Sequence, residues 1–208
     1  MKLALQHAAW AALVTLVLAA PASAQLVSRG NDWNHGTTLN VFAGAGIDAA
    51  ETRPLVGTSV GWEITPAFAI EGSGYWLDRR GSSDAFAAAL KLQAAVMLPH
   101  TAVPFVEAGV GLYRVSFGPS ASEIPVFYRG RMAMSGTGPG TTNTFMDPAF
   151  VLGGGLNVFV TRHVAIRPDV EAMIVRRNSQ NYLVTAIAVH IAYHFESHPV
   201  TPATLPPR

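Results

Sequence analysis

Eight stretches in which bulky apolar side chains alternate with small or polar ones set the narrowest limit on what this chain can become. They run Thr37 to Gly46, Leu55 to Ile64, Phe68 to Leu77, Ala85 to Leu98, Phe105 to Val115, Phe150 to Val160, Val164 to Val175 and Tyr182 to Phe195. Gly, Pro, Asn, Asp and Ser mark their ends, so each reads as a strand between turns. Most are longer than the ~5 to 6 residues usual in soluble sheets and near the ~9 to 11 that a tilted strand needs to cross a membrane. Beyond Gln25 no apolar run approaches the ~18 residues of a spanning helix. The pattern is all-β, and any crossing of a membrane falls to strands.

The two faces of these strands differ in kind. The last one carries Thr185, Ile187, Val189, Ile191, Tyr193 and Phe195 on one parity, and Val184, Ala186, Ala188, His190, Ala192 and His194 on the other. The fourth sets Ala88, Leu90, Leu92, Ala94, Val96 and Leu98 against Lys91 and Gln93; the seventh sets Val164, Ile166, Val170 and Ile174 against Arg167, Asp169 and Glu171. A membrane barrel turns the apolar parity to lipid and the small or polar parity inward, whereas a soluble sandwich does the reverse. The connections separate the two. Thr65-Pro66-Ala67, Pro99 to Pro104 and Thr161-Arg162-His163 are tight links, while Ile47 to Pro54, Asp78 to Asp84, Ser116 to Ala149 and Arg176 to Asn181 are polar or longer. Short turns at one end and longer loops at the other are the outer-membrane pattern, with the short end periplasmic. Aromatics fall where interfacial girdles belong: Trp62, Phe68, Tyr193 and Phe195 near the short turns, Trp76, Tyr75, Tyr113 and Tyr182 toward the long loops. The expected fold is an eight-stranded antiparallel up-and-down transmembrane β-barrel.

Composition agrees. Only 13% of the 208 residues are charged and mean hydropathy is +0.28, against roughly a quarter charged in ordinary soluble domains. Lys2, the apolar run Ala8 to Ala20 and the triplet Ala22-Ser23-Ala24 have the parts of a secretory signal cleaved before Gln25. Lys2 is one of 14 basic residues, so its removal balances the 13 acidic ones. A neutral mature chain excludes a nucleic-acid partner, and the absence of Cys excludes disulfides and thiolate metal sites. The expected divisions are a signal peptide over 1–24, a periplasmic segment over 25–36, the barrel over 37–195 and a Pro-rich tail over 196–208.

Three segments carry a family resemblance. Gly61-Trp62-Glu63-Ile64-Thr65-Pro66-Ala67-Phe68-Ala69-Ile70-Glu71-Gly72 resembles the strand-turn-strand signature of small outer-membrane barrels of the OmpA/OmpX type. Val103-Pro104-Phe105-Val106-Glu107-Ala108-Gly109-Val110-Gly111-Leu112-Tyr113 and Val164-Ala165-Ile166-Arg167-Pro168-Asp169 are similar. The terminal strand, with Tyr193 and Phe195, resembles the signal by which the outer-membrane assembly machinery recognises such chains. Family members often end at that aromatic, whereas Glu196 to Arg208 follow here. The resemblance implies a home among outer-membrane lipid and lipopolysaccharide.

An eight-stranded barrel is just wide enough for side chains to fill. By parity its interior receives Glu71, Ser73, Lys91, Gln93, Glu107, Asn157, Arg167, Asp169, Glu171 and His190, with most of the charges in the half nearer the short turns. Charges withdrawn from water persist when paired, so Lys91 and Arg167 are expected to bridge Glu71, Glu107 and Glu171. That network reads either as a gate or proton-conducting plug or as a structural polar core, and the little room in such a lumen favours the structural core.

Enzymatic readings find little purchase. Lipid A deacylases of barrel form resemble serine hydrolases, with a His and a Ser two positions apart on a lipid-facing strand, and no His here is followed two residues later by Ser. His190 and His194 fall on the inward parity and His163 in a turn. Gly153-Gly154-Gly155 and Gly109-x-Gly111 lack the strand-helix setting of a phosphate loop and suit tight barrel curvature. No catalytic, metal or cofactor site is expected. Ser116 to Ala149 is long enough to be functional or disordered; in it Phe127, Tyr128, Arg129 and Arg131 could extend the preceding hairpin and suit a surface site for a host molecule, a phage or a lipopolysaccharide phosphate, the alternative being a mobile loop with no partner. The expected role is non-enzymatic, in envelope integrity or surface interaction. The alternatives are a narrow pore for ions or small solutes and a lipid A-modifying barrel enzyme.

Overall fold

The computed structural model describes residues 36–48, 51–65, 67–79, 83–96, 102–118, 124–134, 141–161, 163–177 and 180–195. The expected signal peptide, nearly all of the 25–36 segment and the 196–208 tail lie outside them. The strands are β1 (Thr37–Asp48), β2 (Glu51–Thr65), β3 (Phe68–Asp78), β4 (Ser83–Ala95), β5 (Ala102–Phe117), β6 (Asn143–Phe159), β7 (Val164–Arg177) and β8 (Gln180–His194); among the described residues a helix, α1 (Val126–Met134), lies between β5 and β6. Each strand pairs antiparallel with its sequence neighbour, and β1 pairs with β8 from Thr38↔His194 to Asp48↔Val184, so the sheet closes into an eight-stranded barrel.

Alternation becomes geometry through this closure. Val41, Val60, Leu90, Val110, Leu152 and Ile191 face outward and are each more than half exposed, while Ala87, Tyr113, Val151, Met173 and Val184 face inward and are buried. A closed sheet has no free edge, so every strand satisfies its backbone within the barrel, as a lipid environment demands. Two of the short turns are held by threonine: Thr65 Oγ1 accepts from the Phe68 amide at 3.0 Å, and Thr161 Oγ1 from His163 at 3.3 Å and Val164 at 3.0 Å. At these turns Trp62, Phe68, Tyr193 and Phe195 are exposed on the outer face.

Three expectations need correction. Tyr75, Tyr113 and Tyr182 do not belong to an outer girdle; they are buried inside the barrel, and the outward aromatics at the far end are Trp76 and Phe86. The strands outrun their sequence limits toward the long loops, where Asp48 pairs with Glu51 and Phe117 with Asn143. Pro54 and Pro104, read as loop boundaries, lie within β2 and β5; each forfeits one amide donor that a neighbouring strand would otherwise use. Third, the segment around Phe127 is helix rather than a hairpin extension. Pro125 precedes it, and its carbonyl accepts from the Tyr128 and Arg129 amides at 2.8 and 3.2 Å.

Gly44 marks where the closing seam is tightest. A Cβ there would collide with the Ile187 carbonyl oxygen and lie 2.7 Å from Ala188 Cα, both backbone atoms of β8. Backbone cannot step aside as a flexible side chain can, so Gly44→Ala is expected to weaken the β1–β8 seam. The measurement is the urea midpoint of the barrel refolded in lipid vesicles, compared with Gly72→Ala, where nothing lies within 4 Å. A midpoint equal to that of the Gly72 variant removes the seam argument.

Candidate functional site

The barrel interior is built in three levels, taken here from the short-turn end upward. Lowest is a chamber of about 30 Å³ lined by Thr38, Asn40, Glu63, Gln93, Asn157 and His194 among others, room for about two water molecules. Asn40 Nδ2 donates to Ser59 Oγ at 2.8 Å. His194 Nδ1 lies 3.2 Å from Thr38 Oγ1 and 3.4 Å from Glu63 Oε1.

Above it lies a sheet-spanning layer of charge. The β3–β4 register sets Glu71 opposite Lys91, and the β7–β8 register sets Arg167 opposite His190. Lys91 Nζ reaches Glu71 Oε1 at 3.0 Å, Glu107 Oε1 at 3.0 Å and Glu171 Oε2 at 2.9 Å. Arg167 extends Nη1 to Glu71 Oε2 at 2.5 Å, Nη2 to Glu107 Oε2 at 3.0 Å and Nε toward Asp169 Oδ2 at 3.5 Å. His190 Nε2 meets the same Asp169 oxygen at 2.8 Å, and its ring stacks on Phe42 with centroids 4.2 Å apart. The Arg167 guanidinium also lies 4.3 Å from the Phe105 ring centroid. Glu71, Lys91, Glu107, Arg167, Asp169, Glu171 and His190 are thus brought together and all buried. Gln93 stands apart: it pairs with Glu107 in the β4–β5 register but lines the chamber beneath, outside the ion pairs.

The top level is apolar and aromatic. Leu55, Tyr75, Leu77, Tyr113, Phe117, Met173 and Val175 pack into one buried cluster, with Tyr75 Oη donating to Met173 Sδ at 3.8 Å. Arg79, just past β3, turns inward: it pairs with Asp48, donates to Tyr113 Oη at 3.0 Å and Tyr182 Oη at 3.2 Å, and lies over the Phe117 ring. Burial opposes the Arg79 charge, but Tyr113, Tyr182 and Asp48 outweigh it and raise its pKa above the usual arginine value.

Helix α1 closes this end. Phe127 stacks on Tyr182, centroids 5.6 Å apart at 21°, and Tyr128 packs against Phe117 and Phe145 at 5.3 and 5.4 Å. Tyr128, expected at a surface site, is fully buried; burial first, then Tyr113 and Asp147, push its hydroxyl pKa well above the ordinary value. Arg131, also expected to face ligand, is tied to Asp147 Oδ2 at 2.5 Å and lies 4.2 Å over the Phe145 ring. Arg177 takes the other Asp147 oxygen at 2.9 Å. Arg129 stays exposed, its Nε donating to the Ile124 carbonyl at 2.7 Å. Asp48, Arg79, Asp147 and Arg177 escaped the sequence reading. The signal was available for the two acids, since Asp48 continues the inward parity of Asn40 and Phe42, and Asp147 that of Ala149 and Val151.

The chain is similar to known barrels in sequence pattern and in shape. A model of the outer membrane protein beta-barrel domain family matches residues 10–195. No curated protein matches the sequence. Among solved structures, the N-terminal β-barrel domain of Pseudomonas aeruginosa OprF superposes with a TM-score of 0.54 at 12% identity, over 77% of this chain and 98% of that one. Neisserial surface protein A gives 0.54 at 12% identity over 77% and 96%. Ail, the attachment invasion locus protein of Yersinia pestis, gives 0.50 at 12% identity over 78% and 98%.

Proposed function

Because the chain belongs to the outer membrane protein β-barrel domain family, we propose that it serves as a sealed, non-enzymatic barrel of the outer membrane, contributing envelope integrity and contacts at its outer surface. The observation that carries this is the stacking of two unlike barriers in one lumen. The ion-paired layer of Lys91 and Arg167 fills the lower half, and the aromatic cluster with Tyr128 of α1 fills the upper. A hydrated ion would have to strip water in the apolar level and displace paired charges in the other. Above the small chamber at the short-turn end, side chains suffice to fill the interior of a barrel this narrow.

Catalysis has no support from the histidines. Thr38 and Glu63 both address the same His194 nitrogen, Nδ1, whereas a hydrolytic relay needs the nucleophile and the carboxylate on opposite ring nitrogens. His163 stacks on Tyr193 with centroids 5.9 Å apart. In this reading export uses the 1–24 signal, and the outward pair Tyr193 and Phe195, rings 4.8 Å apart, offers the assembly machinery its handle.

The full chain in planar lipid bilayers is expected to give no stable conductance steps under applied voltage. Reproducible open-channel current from the purified, heat-modifiable monomer would replace this reading with the narrow pore.

A further inference from the structure

The lipid-facing surface of β5, β6 and β7 ends in an unusual way. On β5 the outward side chains Val106, Val110 and Leu112 are followed by Arg114; on β7 Ile166, Val170 and Ile174 are followed by Arg176. Both arginines are exposed. Arg114 stands opposite Met146 of β6, and Arg176 lies one step beyond the Val175↔Ala149 pair, beside Pro148. The two therefore flank one strand at the upper edge of the apolar band, with Cα atoms about 12 Å apart by strand spacing and rise.

Neither guanidinium has an ion-pair partner among the described residues, and no carboxylate faces outward on the described parts of β5 to β8. The outward carboxylate of the adjoining strand, Asp84 on β4, stands opposite Ser116 and does not pair with Arg114. Just above, Arg177 turns the other way: it continues the inward parity of Met173 and Val175 and is held, with Arg131, by Asp147. An unpaired guanidinium at the rim of a hydrocarbon layer gains most from an anion at the same depth, and there the anions are lipid headgroups. Both cations are Arg, whose planar fork matches phosphate oxygens in pairs.

We propose that Arg114 and Arg176 bind the phosphates of a phosphorylated lipid of the outer leaflet, its chains lying along the Met146–Phe150–Leu152 ridge of β6. The site is separate from the lumen and stands or falls independently of whether the barrel conducts.

The test uses the full chain in non-ionic detergent, with native mass spectrometry counting retained lipid. The probes are diphosphorylated lipid A, its dephosphorylated form, and inorganic phosphate as competitor. Wild type is expected to retain the phosphorylated lipid at least tenfold over the dephosphorylated one, and Arg114→Gln/Arg176→Gln to lose that preference while keeping its heat-modifiable mobility. The single variants, each tested alone, should fall between. Arg129→Gln, an exposed arginine on α1, should leave the preference unchanged. Equal retention of both lipids, a preference that survives the double variant, an equal loss in the Arg129 variant, or displacement by millimolar inorganic phosphate would each overturn the proposal.

Discussion

Arg167→Ala should lower the unfolding temperature of the barrel in detergent micelles by on the order of ten degrees. In the wild type four carboxylates, Glu71, Glu107, Asp169 and Glu171, share two permanent cations and His190, all within the buried layer. Without Arg167 the same four face Lys91 and His190. Removing one partner of a buried charge network costs about 3 to 5 kcal/mol, because the remaining charges stay buried and unpaired. Lost contact with the Phe105 ring adds to this. Arg167→Lys keeps the charge but not the fork that spans Glu71 and Glu107, so it should recover only part of the loss. Glu71→Gln in the Arg167→Ala background removes one excess negative charge and should raise the melting temperature above that of the single variant. If the single variant melts with the wild type, the layer does not stabilise the barrel. If Glu71→Gln lowers stability further, packing rather than charge explains the effect.

Much of the architecture was legible because a barrel obeys a strict period of two. Once Leu90 and Leu92 were assigned to lipid, Lys91 had to point inward, and closure brought Lys91 and Glu171 together across 80 positions of sequence. The period says nothing, however, about where a strand stops. Pro54 and Pro104 looked like ends because proline breaks ladders, yet a long barrel strand absorbs the loss of one donor. The same cue hid the upper level of the lumen, since Asp48 and Asp147 fell in segments assigned to loops. Helix α1 was illegible for another reason. Val126, Phe127 and Tyr128 favour strands, and Gly130 disfavours a helix by about 1 kcal/mol relative to Ala. What holds the helix is tertiary: Phe127 against Tyr182, Tyr128 against Phe117 and Phe145, and Arg131 on Asp147. Arg114 and Arg176 were illegible as a pair because a period of two assigns a face and not a height along the strand, and Arg176 fell in a segment assigned to a loop.

The largest loss in the upper level is expected from Arg79→Leu. Asp48 is only 2% exposed, and among the described residues Arg79 is the cation that pairs with it. The nearby Arg131 and Arg177 are committed to Asp147. Leucine would leave the Asp48 carboxylate buried without a counter-charge and deprive the Tyr113 and Tyr182 hydroxyls of their donor. The expected cost is again about 3 to 5 kcal/mol, read as a lower urea midpoint in vesicles. Asp48→Asn in the same background should recover most of it, since an apolar neighbourhood tolerates an amide better than an unpaired carboxylate. Failure of that rescue would assign the loss to the guanidinium's contact with Phe117 instead. The variant has a second consequence, because Arg79 fixes Tyr182 and Tyr182 supports Phe127 of α1. Loosening that ring should open the helix to protease, so trypsin should cut after Arg129 and Arg131 several-fold faster in Arg79→Leu than in wild type, under conditions where both barrels remain folded. An unchanged cleavage rate would mean that α1 is held by Tyr128 and Asp147 alone, and that the cap and the plug beneath it are separate devices.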